Sequence, residues 1–394
     1  MAASFDVIVL GVGGMGSATC FELARRGRRV LGLEQFPLVH ARGSSHGHTR
    51  IIRTAYAEHP CYVPLVRRAF GRWYELEQLM GRHLLTECAC LNVGAPGSEH
   101  VAGVRASVRE HALAAEELTG AAINRRYPAF RFPDDYSGVV EQAAGFLYVE
   151  ECVRAHIDAA TVLGADIHAE EAVREWRAAG TGVEVTTDRG TYRAAKLVVT
   201  AGAWATKLLA DIGVPLRVMC QTLHWFGGSD FASAVRRDHF PIFIADVPGG
   251  PFYGLPAIDP SGLKAARHYN APELSGPDDV DWNCTAADGA PVAQFLTQYT
   301  NHPAPVETKA QVCMYTVTPD HHFVIDVHPR WAQVSVACGF SGHGFKFASA
   351  IGEIMADLAE SGATTHDIKM FGANRFQDSR PEPLPNPSPK GRGA

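Results

Sequence analysis

Residues 5–34 read "FDVIVLGVGGMGSATCFELARRGRRVLGLE", and the fold turns on them. "FDVIVL" is a short apolar run of strand type. "SATCFELARRG" has a helical pattern and stops at Gly27, a residue that tolerates the left-handed turn after a helix. "RRVLGLE" is a second strand ending in Glu34. Between the first strand and the helix, Gly11, Gly13 and Gly16 make a G-x-G-x-x-G turn enclosing Gly14 and Met15. Alone, that pattern is weak evidence. Here a strand precedes it, a helix follows, and an acid closes the next strand at roughly the ~20-residue offset of a ribose contact. The first glycine permits the tight turn, the second lets the backbone approach a pyrophosphate, and the third lets helix and strand pack closely. Unpaired N–H groups of the helix N-terminus then face the phosphates. We read a dinucleotide site in a βαβ unit.

The turn does not separate NAD from FAD. A later apolar strand, "AAKLVVTAGAW", ends in Ala201-Gly202 and favours FAD. Further along, "VPLVRRAFGRWYELEQLM", "VREHALAAEEL" (108–118) and "EECVRAHIDAATVLG" read as helices. Residues 37–60 read as loop and turn, with Arg50 and Arg53 of "RIIR" one helical turn apart. Residues 215–312 read as mostly strand. "HFVIDV" and "VSVACGF" are strands, "SGHGF" a glycine turn, and "KFASAIGEIMADLAE" a helix. The Pro-rich tail, 379–394, is expected to be disordered.

The chain has 394 residues, 46% hydrophobic and 20% charged, with a formal net charge of −6. Its length suggests two domains or one split by insertions. The charge gives no reason to expect nucleic acid or an anionic membrane as partner. No apolar run approaches the ~18 residues of a membrane span. The start lacks a basic n-region, and the end, "RGA", matches no peroxisomal signal, so we expect a cytoplasmic protein. Nine scattered cysteines argue for reduced thiols. Cys88 and Cys90 form a C-x-C without a second pair, so no metal site is expected. Cys313 lies within a strand-like run, where a thiol is core filling, a nucleophile or an attachment point.

Several stretches together, "GSSHGHTRIIR" (43–53), "GLKAARH" (262–268), "CMYTVTPDHHFVID" (313–326) and "GFSGHGFKF" (339–347), resemble the monomeric sarcosine oxidase family. The resemblance runs in order from about residue 5 to about residue 376. It implies a flavin amine oxidase of the D-amino-acid-oxidase-like α/β fold, a Rossmann-like FAD domain joined to a mixed-sheet substrate domain. The implied FAD domain is discontinuous, 1–82, 142–214 and 313–378, and the substrate domain takes 83–141 and 215–312.

By the same resemblance, FAD is held through its 8α carbon by Cys313. His46 and Arg50 sit against the flavin and could supply a positive field for that thiolate. Ser44, Ser45 and Thr49 of the same stretch, and Gly342 and Gly344 with His343 in the late glycine turn, also fall at the flavin. Val173 matches a strand position at the adenine. Arg53 and Lys346 match a carboxylate clamp, Arg suited to planar contact and Lys adding a point charge. Lys264 matches the lysine that activates oxygen, where a cation stabilises the developing charge. His268, four residues on and so expected on the same strand face, matches a histidine near the substrate amine. Tyr253 and Tyr315 line the pocket.

Three positions depart from the family. His48 stands where Asp is usual, Arg267 stands where an aromatic is commoner and should point away, and "YAEHPCYVP" is altered near the entrance while Glu58 is retained. The expected activity is oxidation of sarcosine or another small secondary amino acid by O2, in a monomer. N-methyltryptophan, pipecolate or a glycated amino acid are alternative substrates, and a flavin dehydrogenase with a protein acceptor is an alternative class.

Overall fold

A computed structural model describes residues 4–269, 272–302 and 306–379; of the expected tail at 379–394, Ser379 ends a short 3-10 helix and residues 380–394 lie outside the described residues. The opening stretch forms the βαβ unit as read. Strand β1 (Ser4–Leu10) leads through the glycine turn into helix α1 (Gly14–Arg25), and β2 (Val30–Leu33) returns parallel to β1. β1 also pairs in parallel with Thr191–Val199, which pairs in parallel with Trp331–Cys338. With Asp166–His168 beside β2, Val324–His328 antiparallel beside Trp331–Cys338, and an antiparallel flap at Val173–Ala179 and Gly182–Thr187, these make an eight-stranded sheet.

Buried on both faces, the parallel strands are continuous apolar runs. Val7, Val9 and Val30 pack under α1, Val149–Val162 and Ala348–Ser361, where Leu23, Ala159, Ile351 and Met355 interlock. Each such side chain contributes about 1.5–3 kcal/mol of burial.

A nine-stranded mixed sheet forms the second layer. Its long strands Arg217–Gly227 and Val306–Val317 pair antiparallel, next to Leu263–Arg267, Gly250–Leu255 and Ile242–Val247. The domain boundary expected at residue 313 falls inside Val306–Val317. A small third sheet holds β3 (Thr49–Arg53) against Ala144–Tyr148.

The structure corrects three local readings. "RIIR" is strand, not helix or loop, because the β-branched Ile51-Ile52 pair favours the pleated edge that Ala144–Tyr148 offers. Residues 108–118 do not make one helix. A helix spans Glu99–Glu110, Ala112 takes a left-handed φ of 47°, and Ala115–Thr119 is an edge strand paired with Ser137–Glu141. Pairing overrides the helix propensity of "AAEEL". Ala286–Tyr299 is a helix within the stretch read as strand, despite Gly289 and Pro291, and Thr285 with Asp288 caps it reciprocally. No helix among the described residues is long and apolar enough to cross a membrane.

Candidate functional site

A cavity of about 660 Å³ runs between the two large sheets. One end is the glycine turn. Gly11, Gly13, Gly14, Met15, Glu34 and Val173 line it. Gly16 sits behind, where a Cβ would lie 1.8 Å from the Gly11 carbonyl, so only glycine lets α1 start there. Glu34 does more than border the cavity. Its carboxylate accepts the Val12 N–H at 2.9 Å and the Phe36 N–H at 3.1 Å, so it fixes the turn from the side. Ser45 Oγ accepts the Gly14 N–H at 3.1 Å.

The middle of the cavity is bounded by β3 and the strand Val306–Val317. Ser44, Ser45, Thr49, Arg50, Tyr253 and Tyr315 line it. Arg50 Nη2 lies 3.5 Å from Cys313 Sγ and donates to the Ser44 carbonyl. Cys313 is 1% exposed and sits just under the wall with Leu223, Trp225 and Ala266. Burial opposes the Arg50 charge, yet Cys313, Tyr253 and Tyr315 around it outweigh that and keep its pKa raised. His46 does not share that electrostatic role. Burial, reinforced by the Arg50 charge, pushes its ring down to about 3, so it is neutral at pH 7. Arg50 is the guanidinium in contact with the thiol, and Lys264 also interacts with it electrostatically.

At the far end, two cations share one ring. Arg53, 3% exposed, lies 4.4 Å from the Tyr56 ring centroid, and Lys346 Nζ, 5% exposed, lies 5.2 Å from it. Arg53 donates to Glu58 at 2.8 Å and to the Ala55 carbonyl at 2.7 Å. Burial alone would raise the Glu58 carboxyl, but the Arg53 charge wins and holds it far below its usual range. Burial and the Arg53 charge push Lys346 down to about 7. Its Nζ donates to the His343 carbonyl at 2.5 Å and to Tyr56 Oη at 3.3 Å. His343 Nε2 donates to the His321 carbonyl, so Nδ1 accepts the Tyr56 hydroxyl at 2.7 Å. Gly342, His343 and Gly344 line this end.

His268 also lines the cavity, and its Nδ1 is 3.0 Å from the Tyr315 hydroxyl. Burial pushes it down to about 3. Lys264 is elsewhere. The strand Leu263–Arg267 ends before His268, so the two do not share a strand face. Lys264, 2% exposed, lies outside the cavity lining and donates to the Gly47 and Thr49 carbonyls at 2.7 and 2.6 Å. Burial, then the Arg50 charge, holds its pKa well below the ordinary lysine value. Arg267 is outside the lining too, packed near Gly250.

Some side chains here had no signal in the sequence. Tyr56 was visible only as part of "YAEHPCYVP". Glu150, which accepts the Gly47 and His48 amides at 2.7 and 3.2 Å, looked like an ordinary helix-start acid. Glu141 is buried and accepts the Thr54 and Ala55 amides, and burial pushes it up to about 7.

Residues 6–358 match the family model "FAD dependent oxidoreductase". A monomeric sarcosine oxidase from Streptomyces avermitilis is 41% identical over 379 residues, covering 95% of this chain and 99% of that protein. An N-methyl-L-tryptophan oxidase from Yersinia pestis is 35% identical, covering 95% of this chain and all of that one at 100%. Among solved structures, NikD, described as an unusual amino acid oxidase essential for nikkomycin biosynthesis, superposes with a TM-score of 0.82 at 26% identity, covering 94% of this chain and 97% of that one. The chain belongs to the FAD-dependent oxidoreductases, in the branch that holds the monomeric sarcosine oxidases.

Proposed function

We propose that this chain is an oxidase of small secondary amino acids, with sarcosine, water and O2 as substrates and glycine, formaldehyde and H2O2 as products. The observation that carries the reading is the buried pair Arg53 and Lys346 over the Tyr56 ring. A guanidinium and a lysine poised to take up a proton, buried together in a largely apolar cavity, ask for an anion, and an amino acid brings one. Relatives named for oxidation of sarcosine and N-methyl-L-tryptophan support it.

FAD fits the cavity. At Gly13 the nearest atom to an added Cβ is Ser45 Oγ at 3.8 Å, which leaves open space against the turn for a pyrophosphate. Thr316 Oγ1 is buried, borders the cavity and has no protein partner, as expected of a group that waits for a ligand. In our reading Gly11–Gly16, Glu34 and Val173 hold the nucleotide end, while Ser44, Ser45, Thr49, Arg50, Gly342 and Gly344 surround the ring system and His46, buried outside the lining, backs them against the Gly43 carbonyl. Cys313 Sγ carries the covalent link to the 8α carbon, aided by Arg50. When bound, FAD supplies the acceptor for a hydride from the N–CH carbon and returns the electrons to O2.

Arg53 and Lys346 fix the substrate carboxylate, which means that Glu58 must give up or share Arg53. Tyr253 and Tyr315 wall the site, and the neutral His268 accepts a hydrogen bond from the amine that an imidazolium would repel. Lys264 serves the oxygen step from behind the Gly47–Thr49 backbone. We assign the first sheet and its helices to the FAD domain and the nine-stranded sheet to the substrate domain. The relatives' name favours a monomer.

A second reading, a bulkier N-methyl amino acid, is favoured by the cavity's continuation past Glu58 to His100, Asp246 and Phe252. The test is anaerobic bleaching of the flavin band with sarcosine, N-methyltryptophan, pipecolate, a fructosyl amino acid and a D-amino acid, followed by air. Fastest bleaching by sarcosine, with colour and peroxide on readmission of air, upholds the first reading. Bleaching only by a bulky amine selects the second. Slow recovery in air would point to a dehydrogenase, and no bleaching at all would refute both readings.

A further inference from the structure

Lys264 is held by the carbonyls on either side of His48. His48 has φ +68°, and the Thr49 N–H donates to the Gly47 carbonyl at 2.8 Å, so residues 47–49 close a γ-turn of the rare positive-φ sense. Gly47 is needed there, because it has φ +91° and an added Cβ would meet Leu223 Cδ1 at 2.6 Å and Lys264 Nζ at 3.7 Å. His48 is the one residue of the turn that reaches outward. Its Nε2 is 2.9 Å from Lys309 Nζ, its Nδ1 is 3.3 Å from Asp259 Oδ2, and its ring is 5.4 Å from that of Trp225. Lys309 and Lys264 lie 4.7 and 5.6 Å from the same indole.

We propose that His48 is a positioning residue for Lys264, its ring tying the strained 47–49 turn to Asp259 and Lys309 so that two carbonyls stay aimed at the lysine. The inference rests on the reading of Lys264 as the residue that serves the oxygen step.

The bridge joins the pieces that carry Lys264. Asp259 also accepts the Ser261 N–H at 2.7 Å, in the loop that leads into Leu263–Arg267. Lys309 pairs in register with Trp225 on the two long strands. A lysine ammonium has no lone pair, so Nε2 accepts from Lys309 and Nδ1 carries the ring proton toward Asp259. The other charges facing the turn are Glu150 on its amides, Lys264 on its carbonyls and Arg50 beyond Thr49.

The experiment uses the FAD-loaded enzyme and three variants, His48→Asn, Lys309→Met and Lys264→Met. Asn tolerates positive φ, so His48→Asn keeps the turn accessible while removing the bridge. Stopped-flow measurements follow anaerobic reduction by substrate and reoxidation by O2 separately. Reoxidation is expected to slow about tenfold in His48→Asn and Lys309→Met, with reduction changed less than about twofold. Hydrogen exchange of a peptide spanning 47–49 should quicken about tenfold in both. Parent-like reoxidation in His48→Asn and Lys309→Met beside a slow Lys264→Met overturns the proposal and leaves the oxygen role of Lys264 standing. A parent-like Lys264→Met removes that role and the proposal together. Equal slowing of both half-reactions in His48→Asn means that His48 is structural only, which also refutes it.

Discussion

Anion binding to this enzyme should consume a proton. Burial and the Arg53 charge depress Lys346 to about 7, so at pH 8 about nine-tenths of it is neutral in the ligand-free site. A carboxylate docking between Arg53 and Lys346 restores the charge. At about 4 Å and an effective dielectric near 20, the attraction is about 4 kcal/mol, or about three pKa units. Lys346 in the complex therefore sits near about 10. The sign follows: the complex holds more protons than the free enzyme, so affinity is greatest below pH 7 and falls about tenfold per unit above it. Propionate is a suitable probe, since it has no amine to titrate and is not oxidised. Calorimetry at pH 8 in two buffers of different ionisation enthalpy should report uptake of about 0.9 proton per anion. Lys346→Met should show none. Because Glu141 titrates in the same window, Glu141→Gln is the control and should retain most of the uptake. Zero uptake in the parent, with constant affinity between about pH 6 and 9, would refute the assignment of Lys346 to the clamp.

Acid-precipitated parent protein should stay yellow and Cys313→Ser should release its flavin into the supernatant; a colourless parent pellet would rule out the thioether. Glu141, raised from 4.5 to about 7, holds a proton in the folded chain that the unfolded chain sheds. Its contribution is present below pH 4.5 and is lost, by roughly 3 kcal/mol, as pH rises through 7. Thermal melts of Glu141→Gln should gain on the parent across that interval, and parallel curves would contradict the assignment. Gly16→Ala drives a Cβ to 1.8 Å from the Gly11 carbonyl and 2.7 Å from Thr200 Oγ1, so the purified variant should carry no flavin; full flavin content would show the turn to be more pliant than drawn.

What was legible in the sequence was local or carried by the family likeness. The β1–turn–α1 unit announces itself because glycine placement, helix stop and strand length all lie within thirty-odd residues. Arg53 and Lys346, by contrast, meet only in three dimensions, and no periodicity pairs them. Tyr56, which both cations overlie, was indistinguishable from a loop tyrosine. His46 was read as a basic residue supplying the field because the family likeness puts one against the flavin there. Burial, which the sequence does not display, makes it neutral. The helix at Ala286–Tyr299 was missed because Gly289 and Pro291 mask its period, although its capping box was there to be read.

The misread "RIIR" shows why strand rather than helix suits this chemistry. Residues three apart lie on neighbouring positions of one helical face but on opposite faces of a strand. As strand β3, the stretch sends Arg50 to the Cys313 thiol and Arg53 to Tyr56 and Glu58. Under the proposed function, one element would serve both the tether and the clamp without placing two guanidiniums side by side. Register keeps them apart: Arg50 stands opposite Leu147 and Arg53 opposite Ala144. A slip of one residue would exchange the faces, bringing Ile51 and Thr54, or Thr49 and Ile52, to the places of Arg50 and Arg53. The turn at residues 47–49 lies directly upstream, with its amides on Glu150 and its carbonyls on Lys264. It is the natural stop against such a slip, and so the strain at His48 and the placement of both arginines belong to one device.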